Sequence, residues 1–82
     1  MANQPQIETL GQRMKRLRGA TAALDPLGKP TEMTQEILAR ECQCSKDTIS
    51  RLECDKQLPG WELGIALSKA LGVTMGYLAG LE

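Results

Sequence analysis

The 82-residue chain contains no histidine and no phenylalanine, one tryptophan, one tyrosine, and no excess of charge of either sign. Each shortage excludes something. Without His, the three cysteines Cys42, Cys44 and Cys54 leave a zinc site one ligand short of four. There is also no phosphate-cradling glycine loop and no Ser paired with an activating base, so an enzyme is not expected and neither a cofactor nor a metal is implied. Without Phe, the core must be built from Leu, Ile, Met and Ala with the single Trp. Ten basic residues stand against ten acidic ones, which argues against a strongly basic nucleic-acid tail or a polybasic membrane binder. No apolar run is long enough to span a bilayer, and the start, MANQPQIETL, lacks the basic and apolar regions of a signal peptide. A cytoplasmic protein with no membrane partner is the expectation. In such a reducing compartment the three cysteines, which cannot all pair within one chain, stay thiols. They are core or incidental surface residues, or else part of a redox or metal sensor.

What remains is enough for one small domain of modest stability, roughly 5 kcal/mol. Its charge is unevenly placed. Residues 1–30 carry Arg13, Lys15, Arg16, Arg18 and Lys29 against Glu8 and Asp25, a local excess of +3 that the rest of the chain cancels. Residues 1–6 are polar, contain Pro5 and read as a flexible N-terminus; residues 7–82 form the domain. Ile7, Leu10, Met14 and Leu17 recur at helical spacing, which predicts a first helix from Ile7 to Arg18 with its basic residues on other sectors. Those bases form a solvated face or, beside a nucleic acid, would meet phosphates.

The connection from Gly19 to Met33 holds two Pro and two Gly, and Asp25-Pro26 and Lys29-Pro30 mark turns. Thr34 then caps a second helix, TQEILAREC, with Glu36 in its first turn and Leu38, Ala39 and Cys42 as its buried stripe. After a short turn, Ser45 caps a third helix, SKDTISRLE. At about 100° per residue, Lys46, Asp47, Ser50 and Arg51 share one sector, and Thr48, Ile49 and Leu52 lie roughly opposite. Periodicity alone would permit an ordinary amphipathic surface helix, but two short helices joined by a tight turn form a helix-turn-helix arrangement. A fourth helix is predicted from about Trp61 to Leu71, ended by Gly72. It is apolar nearly all round, so largely covered, with Trp61 as a core anchor rather than a base-stacking residue. Thr74 caps a last helix from Met75 to about Ala79. Tyr77, Leu78 and Leu81 there are either core or the edge of a dimer contact.

The run MTQEILARECQCSKDTISRLE, followed by Lys56, Pro59 and ALGVT at residues 70–74, resembles the lambda-repressor and Cro type of helix-turn-helix domain, over about Leu10 to Leu78. The most specific matches are Thr34-Gln35, Leu38-Ala39 and the spaced residues of Ser45 to Glu53. The resemblance implies an all-α, compact five-helix domain whose third helix enters the major groove of double-stranded DNA. It further implies a homodimer that represses transcription from a palindromic operator. An antitoxin-like subunit whose main partner is a toxin protein is the alternative, and a cysteine-based sensor a weaker third.

By that resemblance, Lys46, Asp47, Ser50 and Arg51 are the candidates for base contact, Arg51 by a bidentate contact to guanine. Asp47 would accept from cytosine or serve only the helix dipole. Thr34, Gln35, Arg18 and Lys56 are the candidates for phosphate contact. In register with the family, Arg18 and Glu53 form a buried ion pair beneath the DNA-binding surface, a remaining N–H of Arg18 pointing to a phosphate. Gln43 and Asp55 stand where the family usually has Gly, so a left-handed backbone at Gln43 would cost about 1 kcal/mol. The connection is longer than the family's, and Leu24 or Leu27 is expected to fold back over Ile37.

Overall fold

The computed structural model describes residues 8–81. The elements run α1 (Leu10–Ala20), β1 (Ala22–Leu24), β2 (Pro30–Glu32), α2 (Gln35–Glu41), α3 (Lys46–Glu53), α4 (Trp61–Leu71) and α5 (Met75–Leu78). The expected flexible N-terminus and Ile7 lie outside the described residues. Local chemistry sets the first boundary. Thr9 accepts from the Gln12 backbone N–H, and the Gln12 side chain accepts from the Thr9 N–H, a reciprocal capping box that starts α1 at Leu10. The helix also runs two residues past Arg18, until extended Thr21 ends it.

The expectation of an all-α domain is corrected in the Gly19 to Met33 connection, which is built around an antiparallel hairpin. Ala22 pairs with Glu32, Ala23 with Thr31 and Leu24 with Pro30. Turn chemistry explains it better than strand propensity. Asp25 Oδ1 accepts from the N–H of Leu27 and of Lys29, and Gly28 takes the positive φ that closes the loop. A two-stranded hairpin alone is marginal, so tertiary packing must hold it. Alternation along β1 turns Ala23 inward and its two neighbours outward. Ala23 therefore packs on the core cluster beside buried Met33 and Ile37. The expected cover by Leu24 or Leu27 is not what forms: they are 58% and 81% exposed. Leu24 lies on the outward side of β1, where it borders a surface hollow that it shares with Ile37 without closing over it, and Leu27 sits in the turn.

Met14 of α1, Leu38 of α2, Ile49 and Leu52 of α3 and Leu67 of α4 are the largest fully buried side chains. They make one core in which each of the first four helices presents at least one of these residues. Gly64, Leu67, Ser68 and Leu71 form the buried stripe of α4 at helical spacing. Trp61 lies one turn ahead of that stripe and is 75% exposed, so its reading as a core anchor is corrected. In the first turn of α4 it is Leu63 that packs on the core, and Trp61 lines a surface hollow rather than the interior. Leu78 joins the core, whereas Leu81 is exposed. Among the described residues no helix is long and apolar enough to cross a membrane.

Candidate nucleic-acid interface

Helix α2 ends at Cys42, and Gln43 then adopts φ of 56°. The Cys44 N–H reaches back to the Ala39 carbonyl at 2.9 Å, which closes the turn before Ser45. Buried Ala39 sits in this corner, where a methyl group allows α2 and α3 to approach. Ser45 Oγ accepts from the Thr48 N–H and starts α3. Ile49 and Leu52 bury one side of that helix, and Glu53 is buried at its end.

That burial places Lys46, Asp47 and Arg51 on the exposed side, with Ser50 half-buried beside them. Arg51 and Asp47 pair at 3.3 Å one turn apart, and Lys46 lies 3.6 Å from Glu36 of α2. Both cations of this face are thus held loosely by surface carboxylates, contacts too exposed to add much stability. Asp47 and Arg51 stand four residues apart on one helix, the spacing at which opposite charges meet. Of the residues expected on other segments, Thr34 and Lys56 are exposed and Gln35 is half-buried. Thr34 caps α2 through the Ile37 N–H.

Beneath α3 lies a polar cluster. Arg18 Nε and Nη2 donate to the two carboxylate oxygens of Glu53 at 2.6 and 3.0 Å, a bidentate pair. The Glu53 side chain is only 3% exposed. Gln35 Nε2 donates to the same carboxylate at 2.9 Å, so α1, α2 and α3 meet at one group. Arg18 Nη1 donates to the Met33 carbonyl at 3.2 Å. That arm is turned inward to the carbonyl where the hairpin joins α2, and two of the five guanidinium N–H groups, one on each terminal nitrogen, make none of these bonds. Among the described residues, no buried side-chain nitrogen or oxygen lacks a partner.

A second junction escaped sequence reasoning. Asp55, at φ of 59°, accepts from Thr9 Oγ1 at 2.6 Å and from the Gly11 N–H at 2.9 Å. The residue just past the C-cap of α3 thus also caps α1. Gly11 allows the approach: a Cβ there would lie 2.6 Å from the carbonyl oxygens of both Leu52 and Glu53. The available signal was an acidic residue in a slot that favours Gly, since Asp tolerates a left-handed backbone and brings an acceptor. The basic cluster of α1 is also partly spent inside the chain. Glu8 accepts from Arg13 and Arg16, and Arg16 donates to the Tyr77 hydroxyl. Its bond with Arg16, above all, holds the Glu8 carboxyl below its ordinary pKa.

Cys42 is buried, Cys44 half-buried and Cys54 exposed, all as free thiols. Burial pushes Cys42 up to about 11, with smaller contributions from Cys44 and Glu41, and it raises Cys44 as well. Neither of these two is an activated thiolate.

A family model described as a helix-turn-helix domain matches residues 9–79. Searches of curated proteins and of solved structures found no match.

Proposed function

Because the chain belongs to the helix-turn-helix domain family, in keeping with its lambda-repressor and Cro-type residues, we propose that it is a sequence-specific regulator that reads double-stranded DNA with α3 in the major groove. The observation that carries this reading is the two-sided design of α3. Its inner side is fixed by Ile49, Leu52 and the Glu53 cluster, and its outer side offers Lys46, Asp47, Ser50 and Arg51. A helix that must read base edges needs a fixed angle, and the Arg18–Glu53–Gln35 cluster supplies one.

Arg51 is the residue for a bidentate contact to guanine, and Lys46 reaches guanine or a phosphate. Each leaves its carboxylate partner to do so, and Asp47 becomes available to a cytosine amino group. Thr34, Gln35 and Lys56 meet the backbone, Gln35 with the amide N–H that Glu53 does not use. Arg18 acts from beneath as a positioning residue. With no net charge on the chain, non-specific attraction to DNA is weak, so affinity depends on this local placement.

The regulator is a repressor that occludes a promoter from a palindromic operator. Selection of duplexes from a random pool tests this directly. A palindromic consensus, bound with strong salt dependence, is the expected result. Recovery of unrelated sequences would overturn the reading, and co-purification with a toxin would favour the antitoxin role.

A further inference from the structure

The two edges of the hairpin are not alike. The Asp25 N–H donates to the Lys29 carbonyl at 2.9 Å and the Met33 N–H to the Thr21 carbonyl at 3.0 Å, so with Ala23 opposite Thr31 the hydrogen-bonded positions of β1 and its flanks are Thr21, Ala23 and Asp25. Ala22 and Leu24 therefore turn their N–H and C=O groups away from β2, where they find no partner among the described residues. On β2 the matching outward positions are Pro30, which has no N–H, and charged Glu32, the two devices that close an edge to further strands. β1 carries neither. Its edge opens onto a surface hollow of about 360 Å³ lined by residues 21–24 and by Met33, Ile37, Arg40, Glu41 and Ala70. Successive residues from both faces of the strand line it, so it runs along the edge. Arg40 is exposed, and its guanidinium makes no hydrogen bond or ion pair among the described residues.

We propose that β1 is a docking strand for an extended segment of another protein, which joins the hairpin as a third strand. Main-chain bonds to Ala22 and Leu24 give affinity, and the hollow gives specificity. The segment carries a large aliphatic side chain that faces the hollow, over Ile37 and Ala70, and an acidic side chain two residues away that meets Arg40. Strand geometry supplies the spacing, since alternate residues share a face and lie roughly 6.6 Å apart. Glu41 at the same rim disfavours a second acidic group. A second copy of this chain is a poorer occupant. On the side of β1 that faces inward stand Thr21, Ala23 and Asp25, none of them large and apolar, so two β1 strands paired edge to edge would leave the hollow empty. No residue of α3 lines this site. The partner can therefore be held while α3 is engaged elsewhere, and the proposal does not depend on the DNA reading.

The experiment is selection of short peptides from a random displayed library against the full chain, followed by fluorescence anisotropy of the dye-labelled consensus peptide. The expected consensus is Leu, Ile or Val with Asp or Glu two positions away. Ala22→Pro removes an outward N–H that the hairpin does not use, and extended Thr21, at φ of −100° and ψ of 128°, suits a residue before proline. That variant should bind about tenfold more weakly and keep the wild-type circular dichroism spectrum. N-methylation along the peptide needs no change in the protein, and should abolish binding at alternate residues, as pairing with a strand requires. Repeating the selection on Arg40→Glu should turn the preferred charge from acidic to basic. Failure to enrich any sequence overturns the proposal, as does a consensus peptide whose binding shows no alternation on N-methylation. An acidic preference that survives Arg40→Glu overturns it too. Self-association of the chain that Ala22→Pro abolishes would assign the edge to a second copy and likewise overturn it.

Discussion

Along the inner side of α3 the polar groups find partners within the chain, whereas the segment after its C-terminus leaves Leu58 and Trp61 in solvent. Glu53 is nearly inaccessible yet accepts three hydrogen bonds, from Arg18 and Gln35. The same carboxylate without them would be a buried charge of several kcal/mol. A few residues on, the chemistry reverses, and apolar groups are left without cover. The contrast teaches that the cluster beneath α3 is complete among the described residues and serves the fold, while Leu58 and Trp61 add little to it.

The sharpest way to break that contrast is to remove one partner of the complete side. Arg18→Met or Glu53→Gln should each cost about 3–5 kcal/mol in urea unfolding, because the remaining group stays buried without its mate. The double mutant should recover part of the loss. Single losses below about 1 kcal/mol with no coupling would mean that the pair is not functionally buried. Almost as large an effect is expected at the hairpin. Met33→Ala should cost about 2–5 kcal/mol by leaving a cavity against Ile37, whereas Leu27→Ser should stay within about 0.5 kcal/mol. Equal effects from the two would show that the hairpin tip, rather than its base, packs on the core.

Much of this was legible beforehand, for identifiable reasons. Caps at Thr34, Ser45 and Thr74 announce themselves through side-chain chemistry one residue before a periodic run, and all three fall where that rule puts them. The Arg18–Glu53 contact was accessible only through resemblance, since no local pattern links residues 35 apart. The hairpin was not legible because Ala22, Ala23 and Pro30 are poor strand signals, and the Asp25 turn that makes it is a side-chain-to-backbone device. Trp61 failed for another reason. Helical periodicity gives the stripe of α4 but not where the packed body ends beneath it. In the site, the exposed face of α3 followed from spacing, but the pairing of Lys46 with Glu36 needs two helices in place.

Intermediate effects test how tightly α1 and α3 are joined. Gly11→Ala gains helix propensity of about 1 kcal/mol, but its methyl would collide with the Leu52 and Glu53 carbonyls. The net result should be a loss of about 1–3 kcal/mol, and a stabilised protein would show that the junction yields easily. Arg51→Ala should leave stability unchanged and weaken specific DNA binding by about 1–3 kcal/mol while relaxing one base position. Gln35→Ala, by contrast, should weaken binding evenly across sequences and also lower stability slightly, because Glu53 loses a donor. If both mutants changed only non-specific affinity, α3 would not be the reading element.

The smallest expected effect separates the sealed interior from the open end through the thiols. Cys42 lies in the core with its ionisation raised to about 11, mainly by burial, while Cys54 is exposed at the end of α3. A folded-state value above the unfolded one means that the native protein holds the thiol proton more tightly. Between about pH 9 and 11 the unfolded chain then binds fewer protons, so this contribution to stability is present below that window and is lost as pH rises through it. The informative measurement is a difference between two proteins. Urea unfolding of wild type and Cys42→Ala across this range should show a shallower alkaline decline in the variant. Alkylation offers an independent check at neutral pH: Cys54 should react first and Cys42 last, on the timescale of global opening. Parallel pH profiles, or Cys42 reacting as fast as Cys54, would show that the core around α2 opens locally and is not sealed in the way the buried Glu53 cluster is.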